Sequence, residues 1–197
     1  MNTETIFRLI TFALLAAAVT MSGYFRSRAD REGGRLKTNE GGKLVVVLRL
    51  LGLLTILPLL AYLINPDWVA WARFPLPDWI RWLAAAAAIG LLPVLYWVLR
   101  SIGNNISPTQ ATRQNHQLVT SGPYRYVRHP LYSAGFVMAV ALVLLTGLWW
   151  CAVAMILPLS ILLLRTPIEE ARLIETFGDE YRAYMKRTGR FLPRLTG

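Results

Sequence analysis

The chain has 197 residues, of which 55% are hydrophobic and 16% charged, and its mean hydropathy is +0.42. This composition excludes an ordinary soluble domain and is typical of a polytopic membrane protein. The net charge of +10 is then a topology signal, because Lys and Arg collect in cytoplasmic loops, and we expect no nucleic-acid partner. The single cysteine, Cys151, excludes an intrachain disulfide and a cysteine metal cluster.

Three apolar segments in the first half predict membrane-spanning helices at about residues 5–25, 44–64 and 79–99. The basic segment between the first two is predicted to be cytoplasmic, which places the N-terminus outside. The loop 65–78 is rich in aromatic residues and is expected at the outer interface. The alanine run 84–88 predicts either a surface for close helix packing or a lipid-facing surface.

The apolar run Leu131–Leu164 is too long for a single span. A helix of about 34 residues would measure about 50 Å, whereas the hydrocarbon core of a bilayer is about 30 Å thick. We therefore predict two spans joined by a tight turn at Thr146–Gly147, with Trp149 and Trp150 at the outer interface. The predicted fold is an all-α integral membrane protein with five transmembrane helices, its N-terminus outside and its C-terminus cytoplasmic.

Two polar stretches flank this run: HQLVTSGPYRYVRHPLY at 116–132 and RTPIEEARLIETFGDEYRAYMKRTGR at 165–190. Because the run folds back, both are predicted on the cytoplasmic side, where they share one site. This divides the chain into a region of three spans, residues 1–99, and a region with two further spans that carries the site, residues 100–197.

The first stretch predicts a helix start. His129 precedes Pro130 and is therefore biased towards an extended backbone, while Pro130 suits the first position of the fourth helix. The free N–H groups there, with Arg125 and Arg128 nearby, would suit an anionic ligand. The two arginines could instead be topology signals, the histidines structural, and the tyrosines interfacial anchors.

The second stretch predicts a new helix. Thr166-Pro167-Ile168-Glu169 fits a capping box, although Glu169 could then be only a cap residue. The apolar positions that follow have helical spacing and predict an amphipathic helix that covers the site on the cytoplasmic face: Ile168, Ala171, Ile174, Phe177 and Tyr181.

Several common sites are excluded by their missing motifs. The chain has no HExxH, no paired cysteines, no Walker loop and no GxGxxG, so we expect no metal and no dinucleotide site of these kinds. The residues alone predict a polar site for an anionic or zwitterionic ligand that is open to the bilayer.

The two polar stretches, together with GNNIS at 103–107, resemble the isoprenylcysteine carboxyl methyltransferase family and the related phospholipid methyltransferases. The resemblance covers roughly residues 100–197. It implies S-adenosyl-L-methionine as the cofactor and a lipophilic substrate that enters from the bilayer, an isoprenylcysteine-like carboxylate foremost.

The resemblance also implies site residues. Arg165, four residues before Glu169, would bind the substrate carboxylate and serve catalysis. The position seven residues before His116 is Thr109, with Gln110 beside it, where some family members have a glutamine. The implied cofactor-binding residues are His116, Gln117, Leu118, Val119, Tyr124, His129, Pro130, Leu131, Tyr132 and Glu169.

Two alternatives remain at the level of sequence. Methylation of a phospholipid amine would need a base to take the ammonium proton, and no residue of the chain stands out for that role. A non-enzymatic membrane protein of the transporter kind would be expected to show an intramembrane acidic residue or broken helices, and the sequence predicts neither.

Overall fold

A computed structural model describes residues 2–32, 42–103 and 118–194. Apart from two isolated β-bridges, the regular elements of this described part are all helical. Six α-helices follow one another as α1 (Thr3–Glu32), α2 (Gly42–Ile64), α3 (Asp78–Ile102), α4 (Pro130–Thr146), α5 (Trp149–Phe177) and α6 (Asp179–Arg187). Short 3-10 helices at Pro66–Ala72 and Gly122–Arg125 precede α3 and α4, respectively.

Four of the described helices are long and apolar enough to cross a membrane: α1, residues 46–64 of α2, α3 and α5. The remaining apolar helix, α4, has 17 residues. Its length of about 26 Å falls short of the hydrocarbon core of about 30 Å. The prediction of five spans is therefore not confirmed by helix length. Helix α4 begins only at Pro130, because the two residues before it form backbone hydrogen bonds with Gly189 and Arg190 instead of a helix.

The helices extend beyond the apolar segments from which they were predicted. Helix α1 continues through the basic residues after Phe25 to Glu32. In these last turns Arg28 and Glu32 form an i,i+4 ion pair at 3.1 Å, and Ala29 is buried. Both contacts stabilise the helix beyond its apolar part. The first predicted loop therefore begins later than expected.

The prediction of a new helix at Thr166 is wrong. Helix α5 runs through Pro167 without interruption to Phe177, and the Thr166 hydroxyl donates to the Leu162 carbonyl at 2.9 Å instead of capping a helix. Proline inside a membrane helix is tolerated because side chains and neighbours satisfy the freed backbone groups. On the face predicted to be apolar, Ile168 and Ala171 are exposed.

The C-terminal amphipathic helix is instead α6, which has nine residues. It begins after Gly178, whose φ of +56° allows the chain to turn out of α5. Tyr181 and Tyr184 are buried on one face, while Arg182 is exposed on the other. Amphipathic character near the site is therefore confirmed, at a later position and in a shorter helix.

The tight turn between α4 and α5 is confirmed at Gly147. Its φ is +69°, its N–H donates to the Val143 carbonyl at 2.8 Å, and its carbonyl accepts from the Phe74 N–H at 2.9 Å. Trp149 and Trp150 follow directly and pack against Trp71, with ring centroids 6.1 and 5.6 Å away. We call this end of the molecule the tryptophan end and the opposite end the site end.

The alanine run of α3 packs in the core. Ala84, Ala85 and Ala88 are buried against apolar side chains of α1 and α4, whereas the other two alanines of the run are exposed. Small side chains let the three helices approach closely. The prediction of close packing is therefore confirmed for one face of the run, while contact of the exposed face with lipid stays a prediction.

A polar cluster joins four helices at the tryptophan end. Arg81, which is 6% exposed, donates to the Glu4 carboxylate at 2.9 and 3.2 Å, to the Tyr62 hydroxyl at 3.1 Å and to the Leu145 carbonyl at 2.8 Å. Arg73 also donates to Glu4, at 2.9 Å. Burial of the Arg81 guanidinium is tolerated because it has a counter-charge in Glu4 and further hydrogen-bond acceptors.

Replacing Gly147 with alanine is expected to destabilise the hairpin by about 1–3 kcal/mol, because a non-glycine residue is strained at this φ. The added Cβ would also lie 3.0 Å from the Phe74 carbonyl oxygen. Gly90→Ala is the control, since a Cβ there meets no atom within 4 Å and alanine favours a helix. Thermal unfolding in detergent measures both variants, and equal midpoints would contradict the strain argument.

Candidate active site

The site end is built where a C-terminal strap, residues 188–191, pairs with the segment before α4. The Arg128 N–H donates to the Gly189 carbonyl at 2.9 Å, and the His129 N–H donates to the Arg190 carbonyl at 3.0 Å. In return the Gly189 N–H donates to the Tyr126 carbonyl at 3.2 Å. The strap thus holds the backbone of His129, whose φ of −123° and ψ of 58° are non-helical but fall short of the fully extended form predicted from its position before Pro130.

The carboxylate of Glu170 is the centre of a buried ionic cluster. Arg128 Nε donates to its Oε1 at 2.7 Å, and Arg190 donates to its Oε2 from Nε at 3.0 Å and from Nη2 at 2.5 Å. The Nε2 of His129 lies 3.3 Å from Oε1. Glu170 is 2% exposed, so these partners replace the water that an ionised carboxylate requires.

Arg128 connects this cluster to the chain that leads into the strap. Its Nη1 donates to the carbonyls of Met185 and Thr188, at 3.2 and 2.5 Å. With a side chain 8% exposed, Arg128 is a structural group, and its part in the fold goes beyond the topology signal that the sequence suggested. Arg125, by contrast, is exposed.

Glu169 is the neighbour of Glu170 on α5, but its carboxylate has different partners, because adjacent residues of a helix point about 100° apart. The Tyr132 hydroxyl donates to Glu169 Oε2 at 3.0 Å, and His129 Nδ1 lies 3.8 Å from the same oxygen. The rings of His129 and Tyr132 stack, with centroids 5.4 Å apart and planes 6° from parallel. His129 therefore lies between the two carboxylates, and Glu169 keeps 23% of its side chain exposed.

Two tyrosines lock α6 onto this arrangement. The Tyr184 hydroxyl donates to the Tyr124 carbonyl at 2.6 Å, and the Thr188 hydroxyl donates to the Tyr184 carbonyl at 2.7 Å. Burial raises the pKa of Tyr184 to about 12, so its phenol keeps the proton that it donates at neutral pH. Burial, with Tyr184 and Glu169 nearby, also raises the pKa of Tyr124.

The structure brings together three of the predicted site residues, His129, Tyr132 and Glu169. Arg165 lies one helical turn before Glu169 on the same face of α5 and is half-buried. Pro130 is buried at the first position of α4, as predicted. Three of these five residues therefore lie at the start of α4, and the other two lie in the second half of α5.

The other predicted residues either have their own packing partners in the structure or lie outside the described part of the chain. Leu131 packs against a core cluster formed by Phe25, Ala29 and Leu99. Tyr124 is buried beneath α6. Half-buried Leu118 and Val119 precede the 3-10 helix in irregular backbone. Predictions for four residues fall outside the described residues: Thr109, Gln110, His116 and Gln117.

Sequence reasoning missed the roles of Glu170 and Arg190. A usable signal was present, because two adjacent glutamates on one helix cannot both face the same ligand. The second carboxylate must then reach solvent or cations, and Arg128 beside His129 was an available partner. The contact with Arg190, 20 residues further along the chain, could not be read from local patterns.

Comparison with known proteins gives this geometry a family context. Residues 83–175 match the model of the isoprenylcysteine carboxyl methyltransferase family. The chain is 33% identical over 132 residues to a protein-S-isoprenylcysteine O-methyltransferase of Schizosaccharomyces pombe, covering 62% of this chain and 56% of that protein. The predicted resemblance to this family is therefore confirmed for that part of the chain.

Other relatives extend this comparison. The protein-S-isoprenylcysteine O-methyltransferase of Rattus norvegicus is 33% identical over 144 residues, covering 65% of this chain and 50% of that protein. A methanethiol S-methyltransferase of Pseudomonas deceptionensis is 39% identical over 80 residues, 36% of this chain and 27% of that protein. The chain spans about half the length of the isoprenylcysteine methyltransferases that it matches. Similarity to methyltransferases thus extends over proteins whose names give different acceptors.

Proposed function

We propose that the chain is a membrane methyltransferase that uses S-adenosyl-L-methionine and methylates a lipophilic acceptor, a carboxylate of the isoprenylcysteine type. The observation that supports this most is that the family match, residues 83–175, contains His129, Tyr132, Arg165 and Glu169. These are the residues that two neighbouring helices bring to one end of the fold. The names of the relatives supply the reaction class.

The residues present fit the proposed cofactor. Its methionine part carries an ammonium and a sulfonium, and the partly exposed carboxylate of Glu169 is an anion beside the stacked rings of His129 and Tyr132. Cations are stabilised both by a carboxylate and by aromatic faces. When bound, this cofactor supplies an electrophilic methyl group. We assign its binding to Glu169, Tyr132, His129 and Pro130, with the adenosine end at the segment 116–119 and Tyr124.

Arg165 is assigned to the acceptor. A guanidinium can hold a carboxylate by two parallel hydrogen bonds, which fixes the direction from which its oxygens approach. The acceptor carboxylate is ionised at pH 7 and needs no base. Orientation and exclusion of water are therefore the contributions required of the protein. We propose that Arg165, one turn from Glu169 at the end of the apolar part of α5, provides the first of these.

The lipophilic character of the acceptor is supported by a cavity between the helices. It has a volume of about 280 Å³ and is lined almost entirely by apolar side chains of α1, α2, α4 and α5. Gly135, Met138 and Leu142 of its lining follow Tyr132 on α4 at helical spacing. We propose that the acceptor enters from the bilayer. The proposed topology has five spans, with α4 as the short one, and places the site end in the cytoplasm and the N-terminus outside.

Calorimetric titration with S-adenosylhomocysteine in detergent tests the cofactor assignment. We expect saturable binding by the wild type and a dissociation constant at least about 10-fold higher for Glu169→Ala, because a hydrogen bond to a charged group contributes about 1.5–3 kcal/mol. Glu175→Ala, an exposed glutamate further along α5, is the matched control and should bind like the wild type. A folded wild-type protein that does not bind S-adenosylhomocysteine would contradict the proposal.

The acceptor is tested separately with radiolabelled methyl donor. Three acceptors distinguish the chemistry: a farnesylated cysteine with a free carboxylate, phosphatidylethanolamine, and a small thiol. Methylation of the first alone is expected. Methylation of the amine or the thiol alone, by a protein that binds S-adenosylhomocysteine, would keep the cofactor assignment and overturn the carboxylate assignment.

A further inference from the structure

The strap reaches the site through contacts that continue beyond its backbone pairing. The Ser133 hydroxyl, in the first turn of α4, donates to the Phe191 carbonyl at 2.6 Å. The Phe191 ring lies 5.8 Å from the His129 ring. His129 is thus in contact with the strap both through its backbone N–H and through its side chain.

Arg190 ties the strap to α5. It is held by two hydrogen bonds to one buried oxygen of Glu170, yet 42% of its own side chain is exposed. Glu170 also accepts from Arg128 and lies beside His129, so the carboxylate keeps two neighbours if Arg190 is removed. Loss of Arg190 should therefore release the strap without leaving an unpaired charge in the interior.

We infer that Arg190 is a positioning residue, whose ion pair with Glu170 latches the strap onto α5 and thereby orders His129 and Tyr132 against Glu169. This inference rests on the proposed function, since it concerns how the same site is made ready for its cofactor. A ring pair that is already in place costs less to immobilise when a ligand binds. The latch therefore acts on affinity through His129, and Arg190 itself has no contact with the ligand.

The test compares three variants by amide hydrogen exchange and by S-adenosylhomocysteine titration. In Arg190→Ala we expect the amides of Arg128 and His129, which donate to the strap, to exchange at least about 10-fold faster, because their partner opens locally. The dissociation constant should rise about 10-fold. Arg190→Lys keeps the charge without the planar fork and should restore part of both.

Arg182→Ala is the matched control. Arg182 is an exposed arginine of α6 that pairs with Asp179 at 2.8 Å, and its removal should change neither the exchange nor the affinity. The melting midpoint in detergent should stay within a few degrees of the wild type for all three variants, since both arginines are solvent-accessible.

Each result decides a different point. Unchanged exchange at Arg128 and His129 in Arg190→Ala would overturn the latch. Faster exchange with an unchanged dissociation constant would overturn the positioning role and leave Arg190 a purely structural residue. If the wild type binds no S-adenosylhomocysteine, the proposed function fails, and the exchange rates still decide whether the latch exists.

Discussion

Replacing Glu170 with alanine is expected to lower the free energy of unfolding by about 3–5 kcal/mol, because it leaves the buried guanidinium of Arg128 without its counter-charge. Arg128 would keep its bonds to two carbonyls but lose the carboxylate, and the strap would lose Arg190. Denaturation in detergent measures the change. Glu175→Ala, an exposed glutamate of the same helix, should leave stability within about 0.5 kcal/mol of the wild type.

A double-mutant cycle refines this prediction. If Arg190 acts through Glu170, then Arg190→Ala should cost much less in a Glu170→Ala background than in the wild type. Glu170→Gln, which keeps the shape and removes the charge, should also be destabilising. A loss below about 1 kcal/mol for Glu170→Ala would show that the carboxylate is not the centre of the cluster.

Replacing Arg165 with alanine is expected to lower kcat/KM for a carboxylate acceptor about 100- to 1,000-fold, the range seen when one oriented hydrogen-bond donor is removed from an active site. Affinity for S-adenosylhomocysteine should be nearly unchanged, because Arg165 is assigned to the acceptor. Steady-state methylation and calorimetry on the same preparation provide both values. We therefore expect kcat/KM for the acceptor to fall while the dissociation constant of S-adenosylhomocysteine stays nearly the same.

Arg165→Lys serves as the graded control. Lysine keeps the charge but not the planar pair of donors, so an intermediate rate is expected. Arg182→Ala, in the exposed part of α6, should retain full activity. Wild-type turnover in Arg165→Ala would remove Arg165 from the site, whereas an equal loss of cofactor binding and turnover would assign it to the cofactor.

The broad arrangement of the chain could be predicted because it follows from simple properties. Apolar runs too long for one span must fold back, and Gly147 is the residue that tolerates the conformation this requires. His129 and Pro130 mark a helix start through their own backbone restrictions. Each of these predictions depends on a residue and its immediate neighbours.

The predictions that failed depend on contacts between distant segments. Helix α5 continues past Pro167, and its residues beyond the proline contact other segments at the site end. Glu170, for example, is held by Arg128, 42 positions before it, and by Arg190, 20 positions after it. Sequence patterns locate both glutamates on one helix. They do not show which of the two stays partly exposed and which is enclosed by arginines, because that depends on the distant residues Arg128 and Arg190.

The strap also sets the order in which the molecule can be completed during synthesis. Helices α1 to α5 all leave the ribosome before Arg190 does, so the hairpin of α4 and α5 can be inserted while His129 still lacks its backbone partner. Tyr132 and Glu169 are then present but not yet enclosed. A nascent chain that is halted before the strap emerges would have its helices in the bilayer but no strap paired with Arg128 and His129, which links completion of the site end to translation of nearly all of the described chain.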